Sequence, residues 1–331
     1  MTPAERLNAL LGAPLAWLLL YPLRLSRRRI GGAVMYHGLA ERTGDRAREL
    51  VPPHAIGLFE AQLRHLRAHF RLVPASELLA AARERRRGKR LPVAVTFDDD
   101  LPSHARAAMP TLRRLGAPAT FFVSGASPDG PHRFWWQVVQ AAFDRGEGRT
   151  VRRLVEERCG RLPGDDAAPL IRRLAAAIEG LPPADREAVI GQLEPLAGPP
   201  PRETGMPEKD VRVLAENGFE IGFHTLRHDR LTSLDEDDLS RALRDGLDRL
   251  EATLASRPAL VSYPHGRADA RVAAAAREAG FRCGFTSRPE AVTSDSDPLL
   301  LGRVEPSFRS KGHLALQLAG CLLRGAARSR G

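Results

Sequence analysis

Residues 91–100 read Leu-Pro-Val-Ala-Val-Thr-Phe-Asp-Asp-Asp, and this stretch limits the fold more tightly than any other. Its apolar half, bounded by Gly88, Lys89 and Arg90, has the make-up of a strand buried on both faces, which needs covering layers on both sides. Three carboxylates follow at once. They cannot all sit in a dry interior as free ions, so they must meet solvent, cations or a metal. Taken alone, they could equally be an acidic turn ahead of the helix that starts near Ser103.

A second cluster breaks that tie. The apolar segment 219–223 runs into His224 and His228, four apart and close enough to hold one ion from a single helical turn or tight loop. Carboxylates from one strand end and imidazoles from another form a donor set suited to Zn²⁺, Co²⁺, Ni²⁺ or Fe²⁺.

These motifs resemble the polysaccharide deacetylases that carry a NodB homology domain. Thr96-Phe97-Asp98-Asp99 is similar to the first motif of that family and His224-Thr225-Leu226-Arg227-His228 to the second. Ser262-Tyr263-Pro264-His265-Gly266 is similar to the third, in the form that lacks an arginine. Met35-Tyr36-His37 and 119–123 extend the likeness, which runs over roughly residues 30–305.

The resemblance implies a distorted (β/α) barrel of about seven parallel strands. It also implies hydrolysis of N-acetyl groups on the amino sugars of a polysaccharide or glycolipid. By the family pattern Asp99, His224 and His228 hold a divalent metal, with zinc first, and Asp98 is the general base. His37 supplies the proton to the leaving amine, with His265 as its competitor, and the backbone at Tyr263, next to Pro264, steadies the oxyanion. Two departures stand out. An arginine that orients the base is missing from 259–262, so another residue must do that work. Asp100 replaces the customary glycine and is expected to repel its neighbours or to need an extra cation.

Periodicity alone leads to the same architecture. A strand at 30–36, an amphipathic helix with Ile56, Phe59, Leu63 and Leu66 on one face, a brief strand at 72–73 and a helix over 75–87 precede the central strand. Helices are expected over 103–115, 207–217, 235–255 and 269–279, with Gly116, Gly218 and Gly280 as stops. Strands are expected near 118–123, 219–223, 260–263, 281–285 and 300–304. Strict alternation argues for parallel strands with crossover helices, whose sites lie at the carboxyl ends of the strands. Residues near 135–200 are proline-broken and helical, which marks an insertion or lid. Trp135 and Trp136 at its start suit a sugar ring or an aromatic core.

A chain of 331 residues fits one such domain over 29–310, flanked by an apolar segment at 1–28 and a basic tail at 311–331. The net charge of +10 comes almost wholly from arginine and includes the run 83–90. Without a zinc-finger, RNP or basic-zipper signature, no nucleic-acid partner is expected. Cys159, Cys283 and Cys321 are too few and too scattered for a disulfide framework and read as ordinary thiols. Residues 7–25 are apolar but interrupted by Pro14 and Pro22 and followed by Arg27, Arg28 and Arg29, the reverse of a cleavable signal. This predicts a cytoplasmic protein whose N-terminal segment either packs across the domain or lies on the inner face of the membrane. The competing functions are an amidohydrolase on a small non-sugar amide and a non-catalytic glycan-binding protein.

Overall fold

The computed structural model describes residues 3–126, 133–163, 168–199 and 205–328. The ends of both terminal segments and the proline run from 200 onward lie outside the described residues. Among the described residues ten strands occur in chain order: β1 Ile30–Tyr36, β2 Leu39–Ala40, β3 His54–Ala55, β4 Arg71–Val73, β5 Pro92–Phe97, β6 Thr120–Val123, β7 Glu220–Phe223, β8 Leu260–Ser262, β9 Cys283–Phe285 and β10 Val292–Thr293. The α-helices among the described residues are α1 Pro3–Leu25, α2 Ile56–His69, α3 Leu78–Arg83, α4 Met109–Leu115, α5 Trp135–Asp144, α6 Gly148–Cys159, α7 Leu170–Glu179, α8 Pro183–Ala197, α9 Glu208–Glu216, α10 Glu236–Ala242, α11 Leu247–Leu254, α12 Ala270–Glu278 and α13 Lys311–Arg328.

The main sheet runs β10-β1-β5-β6-β7-β8-β9, and β4 shares with β6 one edge of β5. Only β10 is antiparallel within it. The seven parallel strands curl into a half-barrel with helices outside. Residues 301–304 bridge the gap: the Leu301 amide donates to the Gly284 carbonyl and the Val304 amide to the Ala33 carbonyl. The expected final strand at 300–304 is therefore a pair of single bridges.

Every residue of β5 is buried, as its apolar run requires. Phe97 stacks between Tyr36 and Phe121, at ring separations of 5.5 and 4.8 Å. Full burial of each such side chain is worth roughly 2–3 kcal/mol. The helix expected over 235–255 is in fact two, α10 and α11, broken at Gly246 with φ +88°. A Cβ added at Gly125 would come within 2.9 Å of the Gly246 carbonyl, so chain approach sets the break where the apolar pattern continues unbroken. The helix expected over 103–115 opens on a π-helical turn, His104–Ala108, before α4. In the inserted region α5 to α8 build their own apolar cluster around Val139, Val155, Leu174 and Leu193.

Candidate active site

Parallel register carries the carboxyl ends of β1, β5, β7 and β8 to one rim. Two ladder bonds continue past the strand ends and set the first polar residues there: the Asp98 amide donates to the Tyr36 carbonyl and the His224 amide to the Val123 carbonyl. Asp99, His224 and His228 are all buried, with one ligand atom from each lying within 4.8 Å of the others. His224 Nε2 and His228 Nε2 approach the same oxygen, Asp99 Oδ1, at 3.4 and 3.6 Å. The second nitrogen of His224 lies 2.8 Å from the Ser262 carbonyl, a contact that orients the ring and directs Nε2 inward.

Two observations mark this as a place for a cation. Asp99 Oδ1 is buried without a hydrogen-bond partner, a condition that is costly unless something charged meets it. Backbone strain is also concentrated here. Of the five described non-glycine residues in the left-handed region, four are Asp99, Thr225, His228 and His265. The histidine pair therefore sits on a tight loop. The donor set of one carboxylate and two imidazoles fits a divalent transition metal.

Asp98 faces a different environment. Arg303, fully buried, donates through both terminal nitrogens to its two carboxylate oxygens at 2.7 and 2.6 Å, and Ser262 Oγ adds a third bond at 2.9 Å. Burial raises the Asp98 carboxyl, but the charges of Arg303 and His224 and the guanidinium hydrogen bonds outweigh it. The group is held well below the usual carboxylate range. Arg303 is itself anchored to Thr96 Oγ1 and the Thr286 carbonyl and lies over the Phe122 ring. It meets Asp98 as the arginine missing from the third motif was expected to, and it comes instead from the segment that closes the barrel. The signal was present: a lone arginine inside Leu299-Leu300-Leu301-Gly302-Arg303-Val304.

Two expectations need correction. Asp100 is not left facing only its acidic neighbours: it accepts hydrogen bonds from the Ser124 amide and hydroxyl, both at 2.6 Å, at the end of β6. Tyr263 cannot lend its backbone to an oxyanion. Its amide donates to the Phe285 carbonyl at 3.0 Å and its hydroxyl to the Leu299 carbonyl at 2.8 Å. Pro264 is buried without an N–H to offer, so of the three only His265 lines the cleft.

His37, half-buried after β1, lines the same cleft as Asp98 and the triad. His265 lies against the His228 ring at 4.6 Å, and burial pushes its pKa down to about 3. Its Nδ1 is 3.5 Å from Glu179 Oε2, whose carboxyl burial raises, so both groups drift towards neutrality. The inserted helices form one wall. Trp135 and Glu179 line the cleft, and Trp136 packs on His228 at 4.3 Å. From α8, buried Arg186 pairs with Asp229, the residue after the second histidine.

The class is that of a parallel (β/α) half-barrel whose carboxyl rim gathers a carboxylate and two imidazoles able to hold a cation. The polysaccharide deacetylase family model matches residues 85–153 and 191–284, on either side of most of the inserted helices. A putative polysaccharide deacetylase of Bacillus subtilis, YxkH, is 27% identical over 100 residues, 30% of this chain and 36% of the relative, so the match spans about a third of that protein. The fold is similar to that of the Streptococcus pyogenes deacetylase PplD solved with acetate, at TM-score 0.58 and 16% identity, covering 87% of this chain and 98% of that one. IcaB from Ammonifex degensii is also similar, at TM-score 0.51 and 19% identity, covering 86% and 97%. The chain belongs to the polysaccharide deacetylase family, whose members are hydrolases of carbon–nitrogen bonds other than peptide bonds.

Proposed function

We propose that this protein is a metal-dependent hydrolase that removes N-acetyl groups from the amino sugars of a polysaccharide or glycolipid. The observation that carries this reading is the meeting of Asp99, His224 and His228 beside an Asp98 clamped by Arg303. When bound at the triad, a divalent ion, zinc by preference, supplies Lewis acidity to water and to the acetamide carbonyl. Asp98, kept ionised, accepts the proton of the attacking water. Arg303 holds its carboxylate in one orientation through the planar fork of its guanidinium.

An amine leaves poorly unless protonated, and His37 delivers that proton. His265 suits the task less well, since burial keeps its ring neutral at ordinary pH. Trp135, half-buried on the cleft wall, offers a flat apolar face to a sugar ring.

The deciding experiment measures metal content and acetate release on one preparation, wild type beside Asp99→Ala. Bound transition metal with acetate released from N-acetylglucosamine oligomers, both lost in the variant, is the expected result. Turnover of small cyclic amides without acetate from the oligomers would replace the reading with an amidohydrolase. Protein free of transition metal, with a biological role that survives Asp98→Asn, would leave a glycan-binding protein.

A further inference from the structure

Among the described residues, eight of the nine exposed large hydrophobics lie on α1, including Leu10, Leu11, Leu15, Trp17, Leu18 and Tyr21. The opposite face of the same helix is buried. Ala16, Leu20 and Leu23 point inward, and Gly12 crosses Gly312 of α13 so closely that a Cβ there would lie 2.7 Å from the Gly312 carbonyl oxygen. A helix apolar on both sides, docked through one of them, leaves the other to find an apolar medium. No described helix is long and apolar enough to cross a membrane, and α1 contains Pro14 and Pro22.

The end of α1 is built into a basic platform. Buried Arg85 donates to the carbonyls of Leu23, Arg24, Ser26 and Arg28. Arg24 and Gly88 exchange hydrogen bonds, from the Gly88 amide at 2.9 Å and from Arg24 Nε at 3.1 Å. The loop 86–90 is thereby fixed to the apolar helix, and Arg27, Arg29, Arg86, Arg87 and Lys89 project exposed beside it. Buried Arg85 thus ties the basic run of the sequence to the apolar one.

We propose that the outer face of α1 and the basic loop clamped to its end dock the protein on an anionic lipid bilayer, as on the inner face of a membrane. Apolar side chains enter the headgroup and acyl boundary, with Trp17 and Tyr21, whose rings are 5.3 Å apart, at the interface. The arginines meet the anionic headgroups. Charge selects this occupant over a second copy of the chain, which would bring the same cations together. The inference does not depend on the catalytic reading.

Flotation of the full chain with vesicles of phosphatidylcholine, with and without a quarter phosphatidylglycerol, tests it. The wild type should float with the anionic vesicles and bind neutral ones at least tenfold less. Leu15→Glu/Leu18→Glu should abolish flotation, and Arg27→Glu/Arg29→Glu should reduce it at least fivefold. Unchanged thermal unfolding in both variants shows that the fold survives; should the first unfold, the milder Leu18→Ser takes its place. Wild type that stays with the soluble fraction, equal binding to both vesicle types, or a concentration-dependent dimer abolished by Leu18→Glu in place of vesicle binding would each overturn the proposal.

Discussion

Arg303 grips Asp98 through two parallel hydrogen bonds, 2.7 and 2.6 Å long, with both side chains out of water. A buried pair of this kind adds little net stability, but losing one partner strands the other. Arg303→Met should therefore cost about 3–5 kcal/mol in urea unfolding and remove activity. The sign with pH follows from the depressed carboxyl. The contribution of Asp98 is present above its unfolded pKa, near 4, and fades as the pH falls through the lower folded value. In Arg303→Lys, which keeps the charge and loses the fork, the acidic limb of the pH–rate profile should move to higher pH. An unmoved limb would mean that Arg303 does not set the protonation of Asp98.

Arg303 also shows where the sequence stops being legible. The rim residues Asp98, Asp99, His224 and His228 were readable because each follows an apolar run, and a buried parallel strand has to end in solvent or chemistry. Arg303 lies within the short strand expected at 300–304, yet a single arginine in so brief a run does not reveal which distant carboxylate it meets. The split of α10 from α11 and the capture of Asp100 by Ser124 depend on contacts between chain segments far apart, which periodicity cannot express. The role expected of Tyr263 failed because its amide is needed by the ladder to β9.

Chelation should lower the melting temperature, and added zinc should restore it. Ion binding to the native state alone contributes about 4 kcal/mol at a thousandfold excess over Kd. His228→Ala should melt at one temperature with or without zinc. His37→Ala should keep the full zinc-dependent shift while losing most of its turnover. If His37→Ala loses the shift as well, His37 belongs with the ligands rather than with proton transfer.

Stability should fall between neutral and mildly acidic pH for a reason separate from the triad itself. Burial pushes the pKa of His54 and of His65 down to about 4. His54 is held under Phe308, ring to ring at 3.8 Å, with Nε2 3.0 Å from the Pro306 carbonyl. Above about pH 6.5 neither folded nor unfolded chain carries these protons. Below it the unfolded chain takes them up first, so stability declines down to about pH 4, by at most about 3 kcal/mol for each ring. Urea midpoints at pH 7 and 4.5 should differ less in His54→Gln/His65→Gln than in the wild type. An equal difference would place the acid sensitivity elsewhere.

The pair of Arg186 and Asp229 joins an inserted helix to the residue beside a proposed ligand, and this makes the insertion part of the site. His228 occupies a left-handed backbone position, φ +52°, which holds only while its surroundings enforce it. Arg186→Leu strands a buried carboxylate and should destabilise the fold by about 3–5 kcal/mol. Replacing both, as Arg186→Leu/Asp229→Leu, removes the stranded charge and should recover most of that loss, since apolar pairs of similar volume substitute well for buried ions. The tether on the histidine loop is still altered, so zinc affinity by calorimetry should remain about tenfold or more below wild type, as losses of supporting contacts around a metal do. Affinity that recovers together with stability would reduce the pair to a fold contact, and the inserted helices to a wall.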